Sequence, residues 1–349
     1  MVTEFLLCSR CFNDQGLMLE AVRFGTSAEG KCKNCGAEDG QKLDADTLWH
    51  LAHRFFVWGT LHRVEYGAAP LVRFSSGMET GIKLSPWLEH DVHLFEKALG
   101  VGFFLYGPRL WMVGFIEPLR ALEDNKTRSL IIQRILSEYP TTQLTPDRIF
   151  YRVRTNPTEP SSSAQYDSSP SEFLGRNRLD SANLPILYSS EDLPVCLHEL
   201  RVAAEDNIFV ASLRAKKSLH LLDLTEVIDE NVTEFESLDL AVHMLFLAGK
   251  HSYNICRDIA LAAHAHGFDG LLYPSYFSLL RTGFMPFETS YGLSLRKYSK
   301  SKDYEKSKMI PNIALFGRPI QQDIVAVHSI NKVILRRVDY DFHFGPTEC

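Results

Sequence analysis

Four cysteines in two short pairs place the strongest constraint on how this chain folds. Cys8 and Cys11 form one Cys-x-x-Cys turn, Cys32 and Cys35 a second, and twenty residues separate the pairs. Each such turn aims two thiolates at one point, and two turns complete a tetrahedral set. Residues 1–45 hold too few apolar side chains for a core of their own, so a metal staple is the natural solution. Gly16, Gly25, Gly30, Gly36 and Gly40 supply turns, and residues 17–24 read as a hairpin strand. The expected unit is a zinc ribbon with Cys8, Cys11, Cys32 and Cys35 as ligands. Four thiolates leave no open position on the metal, which makes Zn2+ structural and not catalytic. The bland alternative is four free thiols in turns. Cys196, Cys256 and Cys349 are scattered, and seven cysteines in this arrangement fit a reducing compartment better than a disulfide framework.

The chain has 349 residues, enough for one large domain or two to three smaller ones, and its 45% hydrophobic content suffices for an ordinary buried core. A net charge of −6 argues against a protein that coats nucleic acid or an anionic membrane, yet leaves room for a local basic cleft. The first residues lack a basic region ahead of a long apolar run, so no secretory signal is read. Apolar stretches near 101–106 and 110–116 are too short to span a bilayer. The expectation is a soluble, cytoplasmic protein.

Beyond residue 45 the pattern turns largely helical up to about 145. Leu48, Leu51, Ala52 and Phe55 recur at helical spacing, with Asp46 as the N-cap. Ser85-Pro86 opens a helix that Gly100 ends. Residues 101–116 read as a hairpin turning at Gly107-Pro108, and a helix over 127–139 stops at Pro140. From 146 onward short strands alternate with helices. Strands are expected near 149–154, 186–188, 208–213, 218–223, 270–273, 312–316 and 325–338, and helices over 193–204, 238–247 and 252–265. Residues 159–172, with six Ser, read as a mobile loop. The expected domains are 1–45, 46–145 and 146–349.

The last of these holds the candidate chemistry. Gly175-Arg176-Asn177-Arg178 opens a turn-rich stretch, a short strand ends at Tyr188, and Glu199 follows eleven positions later on a helix. Arg152 and Arg154 lie upstream on a strand, where both face one side. Tyr273-Pro274-Ser275 and Asn312 lie downstream. Taken singly, each has an ordinary structural reading. A strand Arg commonly makes a surface ion pair, a helix Glu is solvated, a Ser after Pro forms a turn, and a strand Tyr is half-buried. The Arg257 and His264 spacing is that of some helical ribonucleases, but packing is the simpler account.

In order and combination these pieces resemble the RES domain, named for its Arg, Glu and Ser, over about 200 residues from near 146 to the C-terminus. The resemblance implies an α+β fold with an ADP-ribosyltransferase-like mixed β-sheet core and flanking helices, preceded by the zinc ribbon and a mostly helical segment of the kind fused to RES domains. It implies NAD+ as substrate. Arg152 matches the family's first Arg, Arg178 its Gly-Arg turn, Tyr188 its Tyr, Glu199 its Glu and Ser275 its Ser, while Asn312 fits its closing strand. Glu199, Arg152 and Tyr188 are the implied catalytic residues, and Arg152, Arg178, Tyr188, Tyr273, Ser275 and Asn312 the NAD-binding set. Where the family has Gly-Arg-Trp-Asn, this chain reads Asn177-Arg178-Leu179-Asp180; Arg176 is a rival for Arg178, as Arg154 is for Arg152. The implied role is a growth-arresting toxin or anti-phage effector, with an antitoxin, a defence-system protein or a second copy of the chain as partner. Two other readings stay open: a mono-ADP-ribosyltransferase using the same cleft, and a nucleic-acid-binding or nuclease module with a degenerate RES-like part.

Overall fold

A computed structural model of the chain describes residues 4–64, 67–106, 116–283, 289–290, 293–294, 299–339 and 341–347. The chain forms two compact units. The first comprises residues 1–64, 68–112 and 339–349, and the second residues 65–67 and 113–338. These limits are drawn differently from the three expected domains. Residues 113–145 join the second unit because they supply a strand and two helices to its sheet and core, and the C-terminal residues return to the first.

In the first unit, Leu7–Cys8 pairs antiparallel with Lys42–Leu43. The stretch expected as a hairpin strand is instead a helix, Gln15–Phe24. Asp14 caps it by accepting the Leu17 backbone N–H at 2.9 Å, and Leu17 and Ala21, four apart, are both fully buried. A second helix, Ala45–Ala52, is capped by Asp44 and not by Asp46, which lies in its first turn. The helix Pro86–Leu99 starts after Ser85 and ends at Gly100, whose φ of 64° lies in the left-handed region. Strand Val101–Leu105 pairs with Val72–Ser76. The expected turn at Gly107-Pro108 lies outside the described residues. The cysteine segment does not stand alone: Leu7, Leu17 and Leu43 share one core with Phe56, Phe95 and Phe103. Buried Asp91 fastens it by accepting the backbone N–H groups of Asn13 and Asp14 at 2.8 and 2.7 Å.

The second unit is built on an eight-stranded sheet: β1 (Thr141–Leu144), β2 (Phe150–Thr155), β3 (Ile186–Ser190), β4 (Ile208–Ala215), β5 (Leu219–Asp223), β6 (Gly270–Pro274), β7 (Pro311–Phe316) and β8 (Val325–Val333), in the order β8-β4-β2-β3-β7-β6-β5-β1. Only β5 and β6 run parallel; the other pairs are antiparallel, so the sheet is mixed. Its helices include α1 (Glu117–Glu123), α2 (Arg128–Glu138), α3 (Leu193–Leu200), α4 (Leu238–Leu247), α5 (Tyr253–Ala265) and α6 (Ser278–Thr282). Period-2 alternation divides the strands between two cores. Ile186, Leu271, Tyr273, Ala314 and Phe316 pack with α4 and α5 on one face. Phe150, Leu187, Leu272, Ile313 and Leu315 pack on the other with Tyr166. The architecture is thus the expected α+β fold around a mixed sheet.

Tyr166 belongs to the Ser- and Pro-rich stretch expected to be mobile. It is fully buried, and its hydroxyl donates to the Pro160 carbonyl at 2.8 Å. Arg154 donates to the carbonyls of Gln165 and Asp167, and the Ser168 hydroxyl to that of Gly317. These bonds pin a segment whose composition alone reads as loose. No helix among the described residues is long and apolar enough to cross a membrane.

Candidate functional site

The ends of β3, β6 and α3 and the start of β7 bring most of the proposed residues together. β7 lies between β3 and β6, and its Asn312 pairs with Ser190 on one side and Tyr273 on the other. Glu199 is on the last turn of α3. Its Oε1 accepts hydrogen bonds from the Ser275 hydroxyl and from Asn312 Nδ2, each at 2.7 Å. Ser275 and Asn312 are buried, whereas Glu199 is exposed. Tyr273, beside Asn312, stacks on Phe246 of α4 with ring centroids 5.2 Å apart. Burial, and after it the Glu199 carboxylate, push its hydroxyl well above the usual phenol range, so it stays protonated.

Arg152 enters the same neighbourhood from β2. The ladder between β2 and β3 carries a single residue pair, Tyr151 with Ser190. Where the strands part, Arg152 Nη1 donates to the Tyr188 carbonyl at 2.8 Å. The residue is 7% exposed, and its Nε is buried with no hydrogen-bond partner among the described residues. No carboxylate among the described residues pairs with it. Burial and the neighbouring charge of Arg154 push its pKa down to about 9. At neutral pH it therefore remains a cation, with no counter-anion among the described residues. Its rival Arg154 is committed to the loop carbonyls described above.

Tyr188 and Arg178 are placed differently. The Tyr188 hydroxyl accepts the backbone N–H groups of Leu179 and Asp180 at 2.9 and 3.1 Å, and it donates to Asp180 Oδ1 at 3.2 Å. It locks the 175–180 turn, and Asp180 tightens that turn by accepting the N–H groups of Gly175 and Asn177. Arg178 reaches across to the end of α4, where it donates to the carbonyls of Leu245 and Ala248 at 3.1 and 2.9 Å. Its guanidinium also lies 4.9 Å from the Tyr253 ring centre. These bonds satisfy carbonyls that the helix end leaves open. Arg176 is exposed over Phe173, and Arg257 holds the Gly175 and Asn177 carbonyls, a packing role as expected. Sequence reasoning missed Asp180, Asp192, Phe246 and Arg281. Of these, only Asp192, an N-cap ahead of an apolar run, carried a readable local signal.

A hollow of about 820 Å3, bordered by His264, Asp269, Phe316 and Arg318, opens at the opposite end of the sheet. Asp269 precedes β6 and Arg318 follows β7, whereas Ser275 follows β6 and Asn312 sits near the start of β7. The chemistry-bearing cluster therefore lies away from this hollow.

In the first unit the four cysteine sulfurs lie within 4.8 Å of one another. Cys8 and Cys35 are 3.5 Å apart, Cys11 and Cys32 3.6 Å, and Cys8 and Cys11 3.9 Å. A tetrahedral ion with metal–sulfur bonds of about 2.3 Å needs edges of about 3.8 Å, so the four thiols fit a metal ion. Burial raises Cys32, but the backbone N–H groups of Cys35 and Asn34 outweigh it and bring the thiol down to about 7.

In comparison with known proteins, residues 149–281 match the family described as the RES domain. The resemblance read from the Arg, Glu and Ser pattern is borne out for that segment. The crystal structure of the M. tuberculosis MbcT–MbcA toxin–antitoxin complex is a similar solved structure, at 13% identity over 58% of this chain and 91% of that one, with a TM-score of 0.34. No curated protein matches the chain.

Proposed function

We propose that this protein degrades NAD+ by cleaving the bond between nicotinamide and ribose. The observation that carries this reading is the buried cation Arg152, which has no carboxylate partner among the described residues, in the neighbourhood of the Glu199–Ser275–Asn312 cluster. A guanidinium held from water calls for an anion, and a pyrophosphate or phosphate group supplies one. The carboxylate completes the requirement. As the C–N bond breaks, nicotinamide leaves as a neutral molecule with the electron pair, and positive charge develops on the ribose. Glu199 stabilises that charge, with Oε2 making no hydrogen bond to the protein among the described residues. Water, or inorganic phosphate, then adds its oxygen to the sugar carbon, and the released proton passes to solvent.

The remaining residues fall into place around this step. Tyr273 and its partner Phe246 are buried in the core and back the site on the side of the carboxylate. Tyr188 and Arg178 are read as walls: one locks the 175–180 turn, the other ties it to α4. Zn2+ is the proposed occupant of the cysteine cluster, where it is a structural ion. The biological reading is a cytoplasmic growth-arresting toxin or anti-phage effector, held in check by an antitoxin or defence-system partner. Replacing Glu199 by Gln tests the assignment. Nicotinamide release is expected to fall about 100-fold or more, with KM and thermal melting little changed. Release near the wild-type rate removes Glu199 from the mechanism.

A further inference from the structure

Ser275 and Asn312 carry the obvious polar groups of the site, and each turns a donor to the same protein carboxylate. The Ser275 hydroxyl donates its only proton to Glu199 Oε1 and accepts the Phe277 backbone N–H at 3.1 Å. Asn312 Nδ2 donates to the same carboxylate oxygen. A Glu on the last turn of a helix faces the helix's own carbonyls, which disfavour a carboxylate there, and it carries three rotatable bonds. Two buried donors, one just after β6 and one on β7, offset both effects.

The segment that begins at Ser275 grips α3 at two further points. The Phe277 ring stacks on His198, with centroids 5.7 Å apart and planes 21° from parallel. Arg281 pairs with Asp192 at 3.0 Å, and Asp192 caps α3 by accepting the Val195 N–H at 2.9 Å. One short segment thus contacts α3 at its first cap, at its last turn and at the side chain of Glu199.

We infer that Ser275, Asn312 and Arg281 are positioning residues: residues 275–281 form a clip that, with Asn312, fixes Glu199 so that a single carboxylate oxygen faces the substrate. Ser275 and Asn312 then contribute to turnover through Glu199 and not by binding NAD+. Only the kinetic half of the test rests on the NAD reading.

The test uses the full-length protein in two arms. In the first, nicotinamide release is measured for Ser275→Ala, Ser275→Thr, Asn312→Ser and Arg281→Ala. Expected is a fall in kcat of about 10-fold or more for Ser275→Ala and Asn312→Ser, with KM within about twofold, recovery in Ser275→Thr, and a smaller loss in Arg281→Ala. In the second, the Glu199 carboxyl is followed by NMR of protein labelled with carbon-13 at glutamate Cδ, the signal being assigned by its disappearance in Glu199→Gln. That signal is expected to move in Ser275→Ala and Asn312→Ser, whether or not NAD+ is the substrate. A rise in KM with kcat unchanged makes these residues substrate ligands and overturns the inference, as does an unmoved Glu199 signal. If the wild type releases no nicotinamide, the NAD reading fails, while the NMR arm still decides the positioning role.

Discussion

Removing a guanidinium from water costs several kcal/mol unless an anion or a full set of acceptors replaces the solvent. Arg152 has the Tyr188 carbonyl, and its Nε has nothing among the described residues. Such a side chain weakens the fold while it waits for a ligand. Arg152→Met is therefore expected to melt at the same temperature as the wild type or above it, while losing affinity for NAD+. The pH dependence has a definite sign. The native pKa is pushed down to about 9, so above that value the folded state binds fewer protons than the unfolded chain. Wild-type stability relative to Arg152→Met is level below about pH 9 and rises above it. Denaturant melts of both proteins across that range check this; a variant several kcal/mol less stable at pH 7 contradicts it. The grouping of Arg152, Glu199, Ser275 and Asn312 was legible only through the resemblance of their order to the RES domain, since each residue taken singly has an ordinary structural reading. It did not reveal that Tyr188 and Arg178 spend their polar groups on the turn at 175–180 and the end of α4. Those contacts depend on where distant backbone carbonyls fall, and no spacing rule reports that.

At the scale of elements, the two cysteine turns were legible from spacing, whereas the helix between them was not. A run with Leu17, Met18, Leu19, Ala21, Val22 and Phe24 suits a strand or a helix, and the Asp14 cap decides. Close packing makes the cysteine cluster sensitive to its surroundings. A Cβ added at Gly40 would lie 2.7 Å from the Cys8 sulfur. Gly40→Ala is expected to lower bound metal and the stability of the first unit, as is Cys32→Ser, with NAD+ chemistry retained; metal analysis of the purified variants checks it. In the second unit, α3 ends four residues before the expected position 204 because Arg201 turns left-handed, with φ 50° and its N–H bonded to the His198 carbonyl. That conformation suits glycine, so Arg201→Gly is expected to raise stability by up to about 1 kcal/mol, read as a shift in the denaturation midpoint. A loss of stability there makes the Arg201 side chain a structural contact.

For the molecule as a whole, strand order was beyond a single sequence, because β7 and β3, adjacent in the sheet, are separated by the chain that forms β4, β5 and β6. That insertion brings Asn312 between Ser190 and Tyr273 and so completes the corner around Glu199. The same long-range pairing explains why residues 113–145 belong to the second unit: β1 is the partner of β5 at the sheet edge. The central claim concerns what this corner does. Incubating the purified full-length protein with NAD+, with and without inorganic phosphate, and identifying the products by mass spectrometry tests it most directly. The account predicts free nicotinamide with ADP-ribose or, when phosphate is present, a phosphorylated ADP-ribose, and neither from Glu199→Gln. Intact NAD+ after incubation, or equal turnover by Glu199→Gln, contradicts it.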